Sequence, residues 1–388
     1  MLAVGVVAIT HATGRHGKPV AAATLSPVRL PAGPGKPLQH GEVGPRTDVP
    51  WRSVGRGWTI AEWGNSNSSA VTVYLVNPVG GRYAIAKLPS YLPPVWSSDV
   101  RDVLLTENGG GITEHLDMVT GTLASIPTRK NVFVAGVLPG LAFGVLAFMP
   151  GAHGTPPTFG ILGPRGTIVT RFPTSAPGAG SFSNDIQFGT DTDTISTATG
   201  EMVLGGTTGI ALVTATGHVT RVLAPPAGST TCQPYRLWSP TVLVASCSNH
   251  HRITGAYLMP LDGSQPNRLS LAAAPAGYFG VANAWAMTGH TLVTLGTGCG
   301  PPGVELVRTD GTHAQFGLPR AKGTYGVVVP EQAYDTTIIA MTTGANQCVG
   351  DKGPSLVSID IRTQKTTVLL GPGLTGGTIE EVAAWPGN

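Results

Sequence analysis

A recurring hairpin is the feature that most constrains what this chain can fold into. "AYLMPLDGSQPNRLS", Ala256 to Ser270, is a short apolar strand, a turn built on Asp262-Gly263 and a second strand closing on Leu269. Six other stretches align with it by their turns. They are "VYLVNPVGGRYAIAKLP" at Gly80-Gly81, "HLDMVTGTLASIP" at Gly121, "FGILGPRGTIVTRFP" at Gly166, "IALVTATGHVTRVL" at Gly217, "VELVRTDGTHAQFGLP" at Gly311 and "LVSIDIRTQKTTVLL" around Thr363, the last without a glycine. Each alternates apolar and polar residues on both sides of its turn, as hairpin strands with one buried face do. The turns are about 40 to about 52 residues apart, a period at which a chain repeats one supersecondary unit.

A second element precedes several of the hairpins. "VWSSDVRDVLLTE", "RLWSPTVLVASC", "NAWAMTGHTLVTLG" and "QAYDTTIIAMTT" each place an aromatic residue shortly before an apolar strand. The unit is therefore strand, aromatic-marked turn, strand and hairpin, which makes four strands. Four-stranded units at this period build a β-propeller, in which each sheet buries both faces against its neighbours. The composition fits: charged residues are 12% of the chain, against 54 glycines and 33 prolines, as many short strands joined by tight turns require. The expected fold is all-β, a seven-bladed propeller of four-stranded antiparallel blades folding as one domain. Six blades with a distorted spacer is the alternative, because the third and fourth copies are the least regular. The first copy lacks an innermost strand, and "GTIEEVAAWPGN" at the chain's end is a strand with no hairpin after it. Ile379 to Trp385 is expected to complete the first blade and hide the last sheet edge.

The ends and one apolar stretch need separate readings. Residues 1–23 open with the apolar run "MLAVGVVAIT", of signal-peptide length and too short to span a bilayer, with Ala21-Ala22-Ala23 as a small-residue cleavage site. No Lys or Arg precedes the run, and His11 to Val20 is long and basic; a remnant of a longer leader or membrane anchor and a cleaved tail are the two readings. Residues 24–50 are rich in Pro, Gly and Ala without a period and read as a linker, leaving 51–388 for the propeller. Val132 to Met149 is apolar but broken by Gly136, Pro139, Gly140 and Gly144, and reads as two buried strands with a turn.

Four cysteines allow three pairings. Cys232 and Cys247 flank the first two strands of one copy, and Cys299 and Cys348 follow equivalent strands of two successive copies. The expected bridges are Cys232–Cys247 and Cys299–Cys348. An even number without metal spacing, behind an apolar leader, favours an oxidising compartment.

Residues 237 to 270, "LWSPTVLVASCSNHHRITGAYLMPLDGSQPNRLS", resemble the repeat of TolB-like and WD40-like propellers, with Ser239-Pro240 left of a four-residue Ser-Pro-Asp-Gly core and Trp96-Ser97-Ser98-Asp99 as a partial echo. In organisation the chain also resembles exported propeller proteins of actinobacteria, a group largely without assigned activity. The resemblance implies the fold and an extracytoplasmic, secreted or membrane-anchored place at the cell envelope. TolB itself has six blades, so its partners are not carried over.

Catalytic spellings are absent: no Gly-x-Ser-x-Gly, no His-Glu-x-x-His and no phosphate-binding Gly-x-x-x-x-Gly-Lys-Ser/Thr. Two Gly-x-Gly-x-x-Gly matches, at Gly298/Gly300/Gly303 and Gly371/Gly373/Gly376, open no helix and read as loop glycines. Asp185, Asp191 and Asp193 form the densest carboxylate cluster; it is the one weak candidate for calcium, and its spacing fails the EF-hand loop, so a solvated turn is the plainer reading. No other cofactor is implied. His250-His251 sit at a hairpin connection, where adjacent side chains point apart and chelate one ion poorly; a partner contact is the sharper reading. Trp96, Trp238 and Trp285 recur at one blade position, as an aromatic row for sugars or peptides or, more simply, as packing between sheets. Trp58 and Trp63 lie in the first copy. Glu62, and Glu114 beside His115, are the carboxylates to inspect for acid–base work, although a glycosidase would need a separation that sequence does not supply.

A net charge of +3 with scattered basic residues argues against nucleic acid. The expectation is a monomeric, non-catalytic binding or scaffolding propeller with a protein or glycan partner at one face. The alternative is a propeller enzyme, a glycan-processing or lactonase-like hydrolase, with its site at the central channel.

Overall fold

The computed structural model describes residues 35–385, apart from segments 65–69, 89–93, 98–99, 107–111, 130, 139–144, 150–157, 164, 183–194, 251, 270–277, 298–302, 319–326, 344–353 and 372–377. The chain forms seven antiparallel blades in a ring, and no α-helix occurs among the described residues. Blade five shows the pattern: from the axis outward it runs Thr231–Ser239, Val242–Asn249, Arg252–Pro260 and Asn267–Arg268. Blade six follows with Tyr278–Met287, His290–Thr297, Gly303–Arg308 and His313–Gln315, and blade seven with Val327–Tyr334, Thr337–Thr343, Ser355–Asp360 and Lys365–Leu370. Blade two comprises Val95–Trp96, Asp102–Thr106, Ile112–Asp117 and Leu123–Pro127. Blade three comprises Phe133–Val137, Val145–Met149, Thr158–Leu162 and Ile168–Arg171, so the apolar stretch after Val132 supplies two adjacent strands. Blade four is the least regular. Its described residues give Met202–Gly205, Ile210–Val213 and Val219–Leu223, beside a hairpin of Ser175–Ala176 and Gly180–Ser181. The six-blade alternative is set aside.

Seven hydrophobic clusters, one at each junction of neighbouring blades, hold the ring. The period of two explains how. Leu243 and Ala245 face blade four while Val244 between them faces blade six; Val293 and Leu295 face blade five while Leu292 faces blade seven. Every central strand is therefore apolar on both faces, and the chain spends few charges inside. The junction of blades seven and one is built from Ile339, Leu356 and Leu369 against Ala61, Trp63, Val76 and Ile379. There Thr378–Ala384 pairs antiparallel with Thr59–Gly64, from Thr59 opposite Ala384 to Gly64 opposite Thr378. The C-terminal strand is thus the innermost strand of blade one.

The outer hairpins turn on local chemistry. Asp262 Oδ1 accepts the Ser264 N–H at 2.8 Å, Asp310 Oδ1 accepts that of Thr312 at 2.8 Å, and Asp360 Oδ1 accepts those of Arg362 and Thr363 at 2.9 and 2.8 Å, each side chain standing in for a turn of backbone. Gly263 and Gly311 follow at φ of +82° and +80°, where a side chain would be strained. In the last hairpin Gln364 takes that conformation, at φ +55°.

Part of the stretch read as linker is integral to the ring. Val43–Pro45 pairs in parallel with Arg82–Leu88 as a fifth strand outside blade one. Leu38 and Val49 are buried in the first core. The Tyr83 hydroxyl accepts the Leu38 N–H and donates to the Lys36 carbonyl, and Asn77 Nδ2 donates to the Leu38 carbonyl. Pro and Gly content marks an extended path, and it does not distinguish a free tether from a strap whose amides find partners on a sheet edge.

Candidate functional site

Side chains with no role in the ring gather at one end of blade five. Cys232 and Cys247 are directly opposite in the ladder between the two inner strands, with Cα atoms 4.0 Å apart, and they form the expected disulfide. Two residues beyond Cys247 the chain reaches Asn249 and turns at His250, which sits in the left-handed region at φ +44°. On the return strand the register shifts, Cys247 facing Gly255 and Ser248 facing Ile253, so that Thr254 is an extra, bulged residue. Such a bulge re-aims side chains beside it. Thr254 Oγ1 donates to the Cys247 carbonyl at 2.9 Å, and Ser229 Oγ donates to Thr254 Oγ1 at 2.5 Å.

The bulge also seats an arginine. Arg268, on the outermost strand, donates from one terminal nitrogen to the Thr254 carbonyl at 2.9 Å. Its guanidinium lies along Gly255: a Cβ there would meet Nε at 2.9 Å, closer than carbon and nitrogen approach. Asn249, His250, Ile253, Thr254 and Arg268 together line an open cleft of about 550 Å³. Ile253 is 41% exposed on its wall. Among the described residues no carboxylate lines the cleft and Arg268 makes no ion pair. A second cleft of about 250 Å³, at the other end of the same blade, is apolar and proline-rich, with Leu223, Pro225, Pro226, Met259 and Pro260 in its wall.

The tryptophans serve the ring. Trp96 and Trp285 are 4% and 2% exposed, so neither offers a face for stacking on a ligand. Trp96 meets Trp385 edge-on at 5.2 Å between centroids, and the Arg236 guanidinium lies 5.1 Å above the Trp285 ring. Trp238 is half-buried against the junction of blades five and six. Trp58 stacks on Tyr83, and Trp63 fills the junction that closes the ring. Recurrence at one blade position reflects packing, because every blade presents the same gap to the next.

The carboxylates separate as strand alternation requires. Glu114 and His115 point to opposite faces: His115 Nε2 lies 2.7 Å from Asp102 Oδ1, while the Ser125 hydroxyl donates to Glu114 at 2.5 Å. They do not form an acid–base pair with each other. Glu62 is fully buried, in register with Glu381 on the C-terminal strand. The innermost strands carry a further regularity that sequence reading missed. Single-residue bulges leave Ala135, Tyr235, Ala282, Glu331 and Glu380 as extra residues in blades three, five, six, seven and one, with Trp238 and Phe279 as second ones in blades five and six. In blades five, six and seven, Tyr235, Ala282 and Glu331 stand three positions before the aromatic markers Trp238, Trp285 and Tyr334, a spacing that no motif spells. At Tyr235 burial pushes the phenol above its ordinary value, partly offset by a hydrogen bond with Ser246.

Asp185, Asp191, Asp193, His251, Cys299 and Cys348 lie outside the described residues. Among the described residues no group of three or more His, Cys, Asp or Glu side chains is placed to hold a metal ion, and no helix is long and apolar enough to cross a membrane.

No family model matches the chain, and no curated protein matches it. Solved structures similar to it include TolB from Acinetobacter baumannii, at 11% identity and a TM-score of 0.47, covering 85% of this chain and 67% of that one. Apo AztD from Citrobacter koseri shares 9% identity at a TM-score of 0.46, over 85% of this chain and 99% of that one. An oligogalacturonate lyase in complex with manganese shares 11% at 0.43, over 81% and 85%. At these identities and scores the likeness carries no functional inference, and the architecture rests on this chain's own strand pairing.

Proposed function

We propose that the chain is an exported, non-catalytic binding propeller whose contact surface is the disulfide-bridged end of blade five. The observation that carries this is the cleft of about 550 Å³ formed by Asn249, His250, Ile253, Thr254 and Arg268 immediately beyond Cys247. Its volume is in the range of ligand sites. The bridge and the bulge fix its wall, so little order is lost when a partner docks. The disulfide also supports an oxidising, extracytoplasmic compartment. A photo-crosslinking residue at His250, compared with one at His290 in the turn at the opposite end of blade six, tests the reading in cells. A discrete adduct from position 250 alone is the expected result; equal or absent adducts at both positions would sink it.

One observation favours the second reading, a hydrolase at the central channel. Glu331 and Glu380 are the bulged residues of adjacent innermost strands, and Glu381 is in register with the buried Glu62. Substitution of Glu331, Glu380 and Glu381 by Gln distinguishes the two. Loss of a hydrolytic activity on glycan or lactone substrates, with crosslinking at 250 intact, would favour the enzyme.

A further inference from the structure

Arg268 is an exposed cation held in place, and its surroundings point to what it is for. An unoccupied surface arginine ordinarily samples many rotamers and loses that freedom when it binds. Here one terminal nitrogen is already engaged by the Thr254 carbonyl, and the side chain lies flat where Gly255 lacks a Cβ. The carbonyl is presented by the bulge, and the bulge is tied to Cys247 and Ser229 through the Thr254 hydroxyl. The remaining donors of the planar guanidinium border the cleft beside His250 and Asn249, with no carboxylate in its lining among the described residues. A planar fork of N–H donors matches a carboxylate, which it binds through two parallel hydrogen bonds.

We infer that this cleft is a carboxylate receptor, taking an acidic side chain of an extended peptide segment on Arg268. This deepens, and rests on, the binding surface proposed above. The wall favours a peptide over an acidic sugar. Ile253, exposed beside the guanidinium, offers an aliphatic contact, and among the described residues no Trp, Tyr or Phe lines the cleft for a sugar to stack on.

The test uses the full chain with its disulfide intact and a short fluorescein-labelled peptide alternating Glu and Leu, read by anisotropy. Its Gln-for-Glu counterpart and an oligomeric uronic acid are the comparison ligands. The Glu peptide should bind at least tenfold more tightly than the Gln peptide, and added salt should weaken it. Arg268→Ala should remove that preference, Arg268→Lys should retain only part of it, and Ile253→Ser should weaken both peptides alike. Equal binding of Glu and Gln peptides, or a preference that survives Arg268→Ala, overturns the carboxylate assignment while leaving the surface in place. Binding of the uronic acid oligomer without the peptide overturns the peptide as occupant. If neither peptide binds and Ile253→Ser leaves crosslinking at position 250 unchanged, the surface reading itself fails.

Discussion

The indole N–H of Trp96 donates to the carbonyl oxygen of Ala383, 3.2 Å away across 287 positions of sequence. Blade two thereby grips the strand that completes blade one, and Trp385 stacks edge-on against the same indole. Replacing Trp96 by Ala removes a buried aromatic and its hydrogen bond to that carbonyl, which should cost about 3–5 kcal/mol. Trp96→Phe should cost less, since most of the volume stays. Urea unfolding of both variants measures the difference; a loss under about 1 kcal/mol for the alanine variant would mean the ring closes without this contact.

Removing residues 378–388 should open the ring. Thr59–Gly64 would lose its inner neighbour and expose an unpaired, apolar edge, a template for pairing with another chain. Size-exclusion chromatography should show oligomers or aggregate, whereas a monomeric, fully cooperative truncation would contradict the assigned closure.

Cys232–Cys247 closes a loop with a sequence separation of 15, which in the chain-entropy model is worth ~3 kcal/mol. The paired replacement of both cysteines by Ala should lower stability by about that amount. It should also speed amide exchange at Asn249 and Thr254 more than at the opposite end of the blade. Uniform change along blade five would show that the bridge stabilises without organising the cleft.

Glu305 is 1% exposed, and among the described residues neither carboxylate oxygen has a hydrogen-bond partner. Alternation with Val304 and Leu306, which face blade seven, puts it with Val307 on the face toward blade five. Burial of a polar group without compensation is unfavourable, and an apolar replacement of similar shape relieves it. Glu305→Leu should raise the unfolding free energy by about 1–3 kcal/mol. A destabilised variant would reveal a role for the carboxylate beyond packing.

Asp262, Asp310 and Asp360 all have carboxyls held below the usual range. The first cause is the Ser264 N–H for Asp262, the Thr312 hydroxyl for Asp310 and the Thr363 N–H for Asp360. A carboxyl whose pKa is lower folded than unfolded contributes stability above the unfolded value, about 3.9, and loses it as pH falls through the folded one. Acid should therefore destabilise the outer hairpins below about pH 4. The triple Asp→Asn variant keeps the turn acceptors without titrating them, so its thermal midpoint should fall less between pH 4 and pH 2. Parallel profiles for the two proteins would assign acid sensitivity to other carboxylates.

The sequence by itself determined the blade unit and the closure, because both follow from local chemistry repeated at a fixed period; it favoured seven blades over six, and the strand pairing decided the count. Asp262-Gly263 and its counterparts specify turns, alternation specifies faces, and a final strand without a hairpin specifies which sheet is incomplete. The pairing of Cys232 with Cys247 was equally legible, from their places at the ends of two consecutive strands. Tertiary structure alone decided the rest. Leu38 and Val49 lie in a stretch whose composition reads as tether, and only the free outer edge of Arg82–Leu88 made it a strand partner. Of the tryptophans spaced like a binding row, Trp96 and Trp285 are covered by neighbouring blades, while Trp238 is half-buried. His250 and Arg268 are separated by the hairpin return and an outer strand, and a one-residue bulge at Thr254 brought them to one cleft. Period and turn chemistry are local and survive in a linear string; register shifts and contacts between sheets depend on what the neighbouring strand presents.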